Sequence, residues 1–227
     1  MAKSRSLCAL ISAIAAFASA ARSDAASITY SDAVPLIASN WTRTLHVPQF
    51  DPSLGNLQQI LFELAGHAEG FARFENIGNT PSPVRMHLSV GMTLAHPDLP
   101  LMTLSLPLLN SMDNATAFDG LIDFGGSSGR SYFNLSADDS YATALSAPFS
   151  PAIAQIFLGS NGNADLSSKV TGLSMVNGPG NQVAQFSASA SAIFRVTYEY
   201  NPVPEPSSFA LTALAGTFLL RRPRRAR

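Results

Sequence analysis

Cysteine is almost absent from this sequence of 227 residues, since only Cys8 is present. One cysteine cannot form a disulfide within the chain, so a scaffold that depends on disulfides is excluded. Cys8 also lies at the start of the first apolar segment, whereas the modified cysteine of a lipoprotein would follow that segment. The protein must therefore rely on a packed core for its stability.

Positive charge is scarce in the central part of the chain. Of the 14 Lys and Arg residues only six lie between Ser27 and Asn201, together with 13 of the 15 Asp and Glu residues. The net charge of this segment is near −7, although that of the whole chain is −1. Such a negative segment disfavours nucleic acid as a partner.

Motifs for catalysis are also missing. Neither HxH nor HExxH spacing occurs among the histidines, which are His46, His67, His87 and His96, so no histidine metal site is predicted. Gly125 to Gly129 fits the G-x-S-x-G pattern of hydrolases, but that motif needs a following helix and a later histidine. Here a strand pattern follows Ser127 and every histidine precedes it. We therefore predict neither catalytic activity nor a cofactor.

The N-terminus has the pattern of a signal peptide. Lys3 and Arg5 precede an apolar run from Leu7 to Ala20, which is too short for an ordinary transmembrane helix. The cleavage candidates are Ala20 and Ala25, which end the tripeptides ASA and SDA. We expect residues 1–26 to form the signal peptide and its cleavage region.

The C-terminal residues 203–227 combine three features. Pro204 and Pro206 keep the chain extended around Glu205, because proline fixes φ and lacks an N–H. An apolar run of 12 residues follows from Phe209 to Leu220, whereas about 20 residues are needed to span a bilayer. The chain ends with arginines that resist crossing a membrane, namely Arg221, Arg222, Arg224, Arg225 and Arg227. Alone, this pattern also fits a tail anchor or a core helix with a basic tail.

The triplet Pro204-Glu205-Pro206, the apolar run and the arginine cluster, in this order, resemble the PEP-CTERM sorting signal of Gram-negative bacteria. The resemblance implies that an exosortase, a membrane protease similar to transpeptidases, recognises the triplet and cleaves near it. It also implies a precursor held transiently in the inner membrane, with the arginines as a cytoplasmic stop. The product would then reach the cell surface or the extracellular matrix.

Alternation of apolar and polar residues dominates the central segment. From Val84 to Leu94, and from Val183 to Tyr200, nearly every second residue is apolar, which is the period of a half-buried strand. Segments bounded by Gly, Asn or Pro predict further strands at 28–30, 41–47, 57–68, 70–75, 101–108, 132–135, 141–145 and 166–173. A short helix is predicted at 151–158. We expect an all-β fold of about ten strands, an antiparallel β-sandwich of jelly-roll or immunoglobulin-like type over residues 27–201.

Four blocks of this segment resemble the choice-of-anchor E domain. They are FDPSLGNL from Phe50, Glu75-Asn76, FDGLIDFGGSSG from Phe118, and TYEY from Thr197. The resemblance extends over about residues 28–201 and implies a fold and a surface location, not a chemistry. The first block also predicts a turn shaped by Pro52 and Gly55, with Phe50 as an apolar plug and Asp51 as the cap.

Two sets of residues are candidate binding sites. Asp113, Asp119 and Asp123 could bind Ca²⁺, which takes oxygen ligands, but their spacing matches no EF-hand or calcium-repeat pattern, which favours turn caps. The aromatic residues could form a platform for sugar rings or could simply pack, and they are Trp41, Tyr30, Tyr132, Tyr141, Tyr198 and Tyr200. Packing is the favoured interpretation because the last two tyrosines lie on an apolar stripe.

The sequence thus predicts an exported surface protein, structural or associated with an exopolysaccharide matrix. The alternative is a carbohydrate-binding module, and a hydrolase is less favoured. The expected partners are an exosortase, the inner membrane transiently and extracellular polysaccharide.

Overall fold

The computed structural model describes residues 25–99 and 102–203, which form eight β-strands and one α-helix. The strands are β1 (Ala26–Ala38), β2 (Trp41–Pro48), β3 (Gly55–Asn76), β4 (Ser82–Ala95), β5 (Met102–Ala115), β6 (Gly129–Ser146), β7 (Asn163–Asn177) and β8 (Gln182–Pro202). The helix α1 (Pro151–Phe157) lies between β6 and β7. Almost all of the expected signal peptide and sorting signal lies outside the described residues. Within the described ranges, no helix has both the length and the apolar character needed to span a bilayer.

The strands form two antiparallel sheets that pack face to face as a sandwich. The first sheet has the order β1-β8-β3-β6 and the second has the order β2-β7-β4-β5. Successive strands of the chain alternate between the sheets, apart from β4 and β5, which are neighbours in the second sheet. Eight strands in two such sheets make a jelly roll. The predicted antiparallel sandwich is confirmed, and the jelly roll is the type that it adopts.

The core lies between the two sheets and follows from the alternation in the sequence. In β4 the inward residues are all buried, namely Val84, Met86, Leu88, Val90, Met92 and Leu94. In β8 the side chains of Phe194, Val196 and Tyr198 are fully buried from the other side. Each large apolar side chain removed from water in this way stabilises the fold by about 1.5–3 kcal/mol. The period of two therefore selects which face of each sheet turns inward.

The structure has fewer strands than the ten or so expected, because two pairs of expected strands are continuous. Segments 57–68 and 70–75 are both parts of β3. Gly70, the first residue of the second segment, does not interrupt the strand. A Cβ atom at this position would collide with the carbonyl oxygen of Ser187 on β8. Glycine is present here because the two backbones approach closely.

The segments 132–135 and 141–145 are likewise joined, within β6. β6 is an edge strand of the first sheet and is mostly exposed, so polar residues in its middle do not end it. The pairing of β3 with β6 shifts between Gly70 and Ala72, where β6 contains one additional residue. This β-bulge includes Asn134, whose φ is 55°, a left-handed conformation that asparagine tolerates better than most residues.

The turn before β3 has the predicted cap. The Asp51 carboxylate accepts a hydrogen bond from the Ser53 backbone N–H at 2.9 Å, at the start of the short 3-10 helix Pro52–Leu54. Phe50 is buried, and its ring centroid lies 5.7 Å from that of Tyr198. Both roles predicted for this block, cap and apolar plug, are confirmed.

The predicted short helix is also confirmed as α1. The Ser150 hydroxyl accepts a hydrogen bond from the Ile153 N–H at 3.3 Å and so caps the N-terminus of the helix, as serine commonly does. Phe157 at the other end is fully buried, with its ring 5.2 Å from that of Phe62 on β3. The helix therefore contributes an aromatic side chain to the core of the sandwich.

Candidate functional site

A buried polar pair at the end of β3 holds the loop that connects β5 to β6. The Asn76 side-chain amide donates to the carbonyl oxygens of Thr80 at 2.9 Å and Thr116 at 2.7 Å, and its oxygen accepts from the Gly78 N–H at 3.0 Å. Its neighbour Glu75 is also fully buried. Asn76 thereby satisfies backbone groups of two loops that have no partner in a sheet.

Glu75 reaches the same loop further along. Its Oε2 accepts a hydrogen bond from the Phe124 backbone N–H at 2.8 Å. Phe124 has a φ of 58°, and its ring lies 4.3 Å from the guanidinium carbon of Arg73, a cation–π distance. A Cβ atom at Gly129 would collide with the Glu75 carboxylate. The Glu75-Asn76 block and the block that starts at Phe118 therefore meet in space.

Two buried polar atoms of this region have no hydrogen-bond partner within the described chain. They are Glu75 Oε1 and the Ser128 hydroxyl oxygen. A buried polar group without a partner costs roughly 1–3 kcal/mol. Their burial nevertheless leaves them out of reach of an external ligand, so they belong to the architecture of the loop.

The three candidate calcium ligands are not brought together. Asp119 accepts from the Leu121 N–H at 3.1 Å and Asp123 accepts from the Gly125 N–H at 2.8 Å, so both form local Asx turns. Asp113 is on β5, where its carboxylate accepts from Tyr132 and Ser111 and lies 3.6 Å from Arg130. Among residues 25–99 and 102–203, no group of three His, Cys, Asp or Glu side chains is placed to hold a metal ion.

Burial has an electrostatic consequence for the partner of Asp113. The pKa of Tyr132 is raised above its ordinary value of 10.0, first by burial and then by its hydrogen bond to the Asp113 carboxylate. The hydroxyl therefore stays protonated and continues to donate to that carboxylate throughout the physiological pH range.

The serine of the G-x-S-x-G segment lacks the surroundings of a nucleophile. The Ser127 hydroxyl is hydrogen-bonded to that of Thr116 at 2.9 Å, and the chain continues into β6 instead of a helix. The histidines have other partners: His46 pairs with Asp165, His67 with Glu69 and Asp138, His87 with Ser89, and His96 with Asp98. The motif is thus part of a turn.

The aromatic platform considered from the sequence does not exist in the structure. Trp41, Tyr198 and Tyr200 are buried, and Tyr198 donates to the Pro48 carbonyl oxygen at 2.9 Å. Burial raises the pKa of Tyr198. Tyr141 is exposed, but its partner across the strands is Leu64, whose side chain faces inward. Tyr141 is therefore not on the outer face of the sheet. Packing, the favoured interpretation, is therefore the observed role of the buried aromatics.

The outer face of the first sheet has a groove at the bulge between β3 and β6. The sequence did not predict it. Its volume is about 440 Å³, and it is lined by Glu69, Gly70, Phe71, Phe133, Asn134, Leu135, Ser136, Ser187 and Ser189. We call it the bulge groove. The Phe133 ring is 59% exposed and its centroid lies 6.2 Å from that of Phe71. The sequence signal for it consists of two phenylalanines next to polar residues of the same strand faces.

A charged cluster borders the bulge groove. His67 Nδ1 lies 2.7 Å from a carboxylate oxygen of Asp138, and Nε2 lies 3.1 Å from one of Glu69. The pKa of His67 is raised above its ordinary value of 6.5, first by the hydrogen bond to Glu69 and then by that to Asp138. The His67 ring therefore bridges two carboxylates of neighbouring strands, and the raised pKa favours its protonated form.

Comparison with known proteins does not identify a family. No family model matches the chain, and no curated protein is significantly similar to it. A chain of infectious bursal virus derived T=1 particles is 11% identical, with 86% of this chain and 48% of that chain covered and a TM-score of 0.17. For the infectious bursal disease virus Gx strain the identity is 14%, the coverage 86% and 48%, and the TM-score 0.12. The chain spans about half the length of these viral chains, and such low TM-scores carry no conclusion.

Proposed function

We propose that this chain is an exported protein of a Gram-negative cell surface that an exosortase sorts and processes. The main support is the position of the tripartite tail, which begins at Pro204, directly beyond the sandwich that ends with β8 at Pro202. At the other end, β1 begins at Ala26, just after the second cleavage candidate. Cleavage after Ala20 or Ala25 and near the triplet would leave every strand intact.

In this proposal the tail has three separate tasks. The exosortase reads Glu205 on the stiff segment formed by Pro204 and Pro206. The apolar run holds the precursor in the inner membrane for a limited time, because it is too short for a stable span. The five arginines stay on the cytoplasmic side.

The mature domain is proposed to act by its surface, as a structural or matrix-associated protein. Its support is a disulfide-free sandwich with a continuous apolar core and a carboxylate-rich exterior. A carbohydrate-binding module is the second candidate, and the bulge groove is the observation that favours it.

Mass spectrometry of the surface form tests the sorting step. We expect loss of residues 207–227 or of a segment close to them. Glu205→Ala should leave uncleaved precursor in the membrane fraction, whereas the control Ser207→Ala should be processed as the parent is. An intact C-terminus in cells with an active exosortase would contradict the proposal.

A further inference from the structure

We propose that the bulge groove binds a neutral polysaccharide chain, with the rings of Phe133 and Phe71 as its stacking surface. The inference rests on the proposed matrix association and names the partner of that surface. Its volume of about 440 Å³ falls within the range of about 300–1,000 Å³ that is usual for ligand sites.

The apolar part of the groove consists of two phenyl rings that meet at an angle. Their planes are inclined by 41°, so together they form a bent surface instead of a flat one. Phe133 leaves 59% of its area exposed at the edge of the sheet, although a side chain of this size would gain stability from burial. The C–H faces of sugar rings are apolar and would cover these rings.

The polar part of the groove surrounds the rings with hydrogen-bonding groups. Its members are Asn134, Ser136, Ser187 and Ser189, whose side chains form no hydrogen bond with other parts of the described chain. A serine hydroxyl both donates and accepts, and an asparagine amide does the same with separate atoms. Sugar hydroxyls also donate and accept, so an apolar floor with such a rim matches a sugar chain.

The side chains around the groove are held in place before any ligand arrives. His67 contacts Glu69, as described above, while the Arg73 Nε donates to Gln185 on β8 at 2.8 Å. The same guanidinium lies 5.8 Å from the Phe71 ring centroid. Binding therefore requires little further ordering of these side chains, and side-chain ordering is one part of the cost of association.

Charge and backbone pairing select the class of ligand. Glu69 lines the groove, and Asp138 and Asp139 follow on β6. These acidic residues outnumber the nearby Arg73, and the segment that forms the sandwich has a net charge near −7, so a polyanion is disfavoured. An added peptide strand would lie in the plane of the sheet along the free edge of β6, whereas the groove lies on the face of the sheet, where β3 is already paired with both β6 and β8. A neutral polysaccharide satisfies both conditions.

Affinity electrophoresis provides the test, with the extracellular polysaccharide of the producing cells as the probe. The polysaccharide is freed of protein by protease and separated into neutral and acidic fractions by anion exchange. The protein is taken in whichever form the cells accumulate, with detergent if it stays in the membrane. Binding is then measured whether or not the tail is cleaved, so failure of sorting and failure of binding are distinguishable.

We expect the neutral fraction to retard the protein and the acidic fraction to leave it unaffected. Phe133→Ala should weaken binding by about tenfold, while Phe133→Trp should preserve it. The matched control is Tyr141→Ala, which removes another exposed aromatic side chain of the same strand, 45% exposed. Each variant should melt at a temperature close to that of the parent, since neither ring is buried.

Four results would overturn the proposal. They are no retardation by the neutral fraction, retardation by the acidic fraction alone, equal effects of Phe133→Ala and Tyr141→Ala, and retardation by untreated polysaccharide that the protease-treated fractions do not reproduce. The last result would indicate a protein ligand.

Discussion

The Glu75 carboxylate accepts a hydrogen bond from the backbone N–H of Phe124, a residue 49 positions further along the chain. This bond joins the C-terminal end of β3 to the loop that precedes β6. Together with the contacts of Asn76, it makes a loop of irregular backbone part of the buried structure. Three stability predictions concern this region, and a fourth concerns the charged cluster beside the bulge groove.

Asn76→Ala should destabilise the fold by about 3 kcal/mol, because three backbone groups lose their partner and each such loss costs roughly 1–3 kcal/mol. Urea unfolding followed by circular dichroism measures the change. The control is Asn114→Ala at an exposed position of β5, which should change the free energy of unfolding by less than about 0.5 kcal/mol. Equal effects of the two variants would show that the buried amide is dispensable.

Gly129→Ala should destabilise the fold by about 1–3 kcal/mol, the usual cost of overpacking a buried site. Its Cβ atom would collide with the Glu75 carboxylate. Gly91→Ala is the matched control, since a Cβ atom there has only the Thr171 carbonyl oxygen near it, at 3.9 Å. That control should be neutral or slightly stabilising. Comparison of the two midpoints in urea tests whether the loop is tightly packed against β3.

Calcium should not alter the stability of the domain if Asp119 and Asp123 act as turn caps. A ligand that binds the folded state raises the melting temperature once its concentration exceeds Kd. We therefore expect thermal melts with excess calcium and with chelator to agree within about 1 °C. A shift of several degrees that Asp119→Asn abolishes would identify this loop as a calcium site after all.

His67 should titrate above its ordinary pKa of 6.5, as its two carboxylate partners require. Because the folded-state pKa is the higher one, the stabilisation is complete below pH 6.5 and is lost as the pH rises through the folded-state pKa. The groups are exposed, so solvent keeps the contribution below about 1 kcal/mol. The proton resonances of the ring give the pKa by NMR.

The same titration includes two variants. Glu69→Gln removes the larger cause and should lower the pKa of His67. Glu63→Gln lies on the same strand but loses a contact with Arg195, and it should leave the His67 titration unchanged. An equal response to both variants would mean that general surface charge, not the hydrogen bond, determines the pKa.

The regular part of the fold was predictable because burial on one face leaves a period of two in the sequence. Val90 of β4 and Phe194 of β8 are examples, and both are fully buried as predicted. Strand continuity was harder to predict. A glycine such as Gly70 can either end a strand or permit the close approach of a neighbouring strand, here β8, and the sequence does not distinguish the two roles. The role of a glycine depends on the backbone next to it in space, which a single sequence does not show.

The candidate sites depended even more on contacts distant in sequence. The sequence favours packing over an aromatic platform because two of the tyrosines lie on an apolar stripe. Three of the aromatic residues are indeed buried. The bulge groove could not be foreseen, because it requires one additional residue in β6 opposite Phe71 and a left-handed Asn134. Neither the shift in pairing nor that backbone angle leaves a pattern in the sequence.

The position of β8 makes the pairing of the first sheet depend on the last strand of the described chain. The last strand lies inside the first sheet, between β1 and β3, so a chain cut before Gln182 loses two ladders of hydrogen bonds at once. Such a fragment would expose two long unpaired strand edges, which invite aggregation and proteolysis. A product shortened before Gln182 should therefore be degraded, and molecules that keep β8 should be the ones that accumulate.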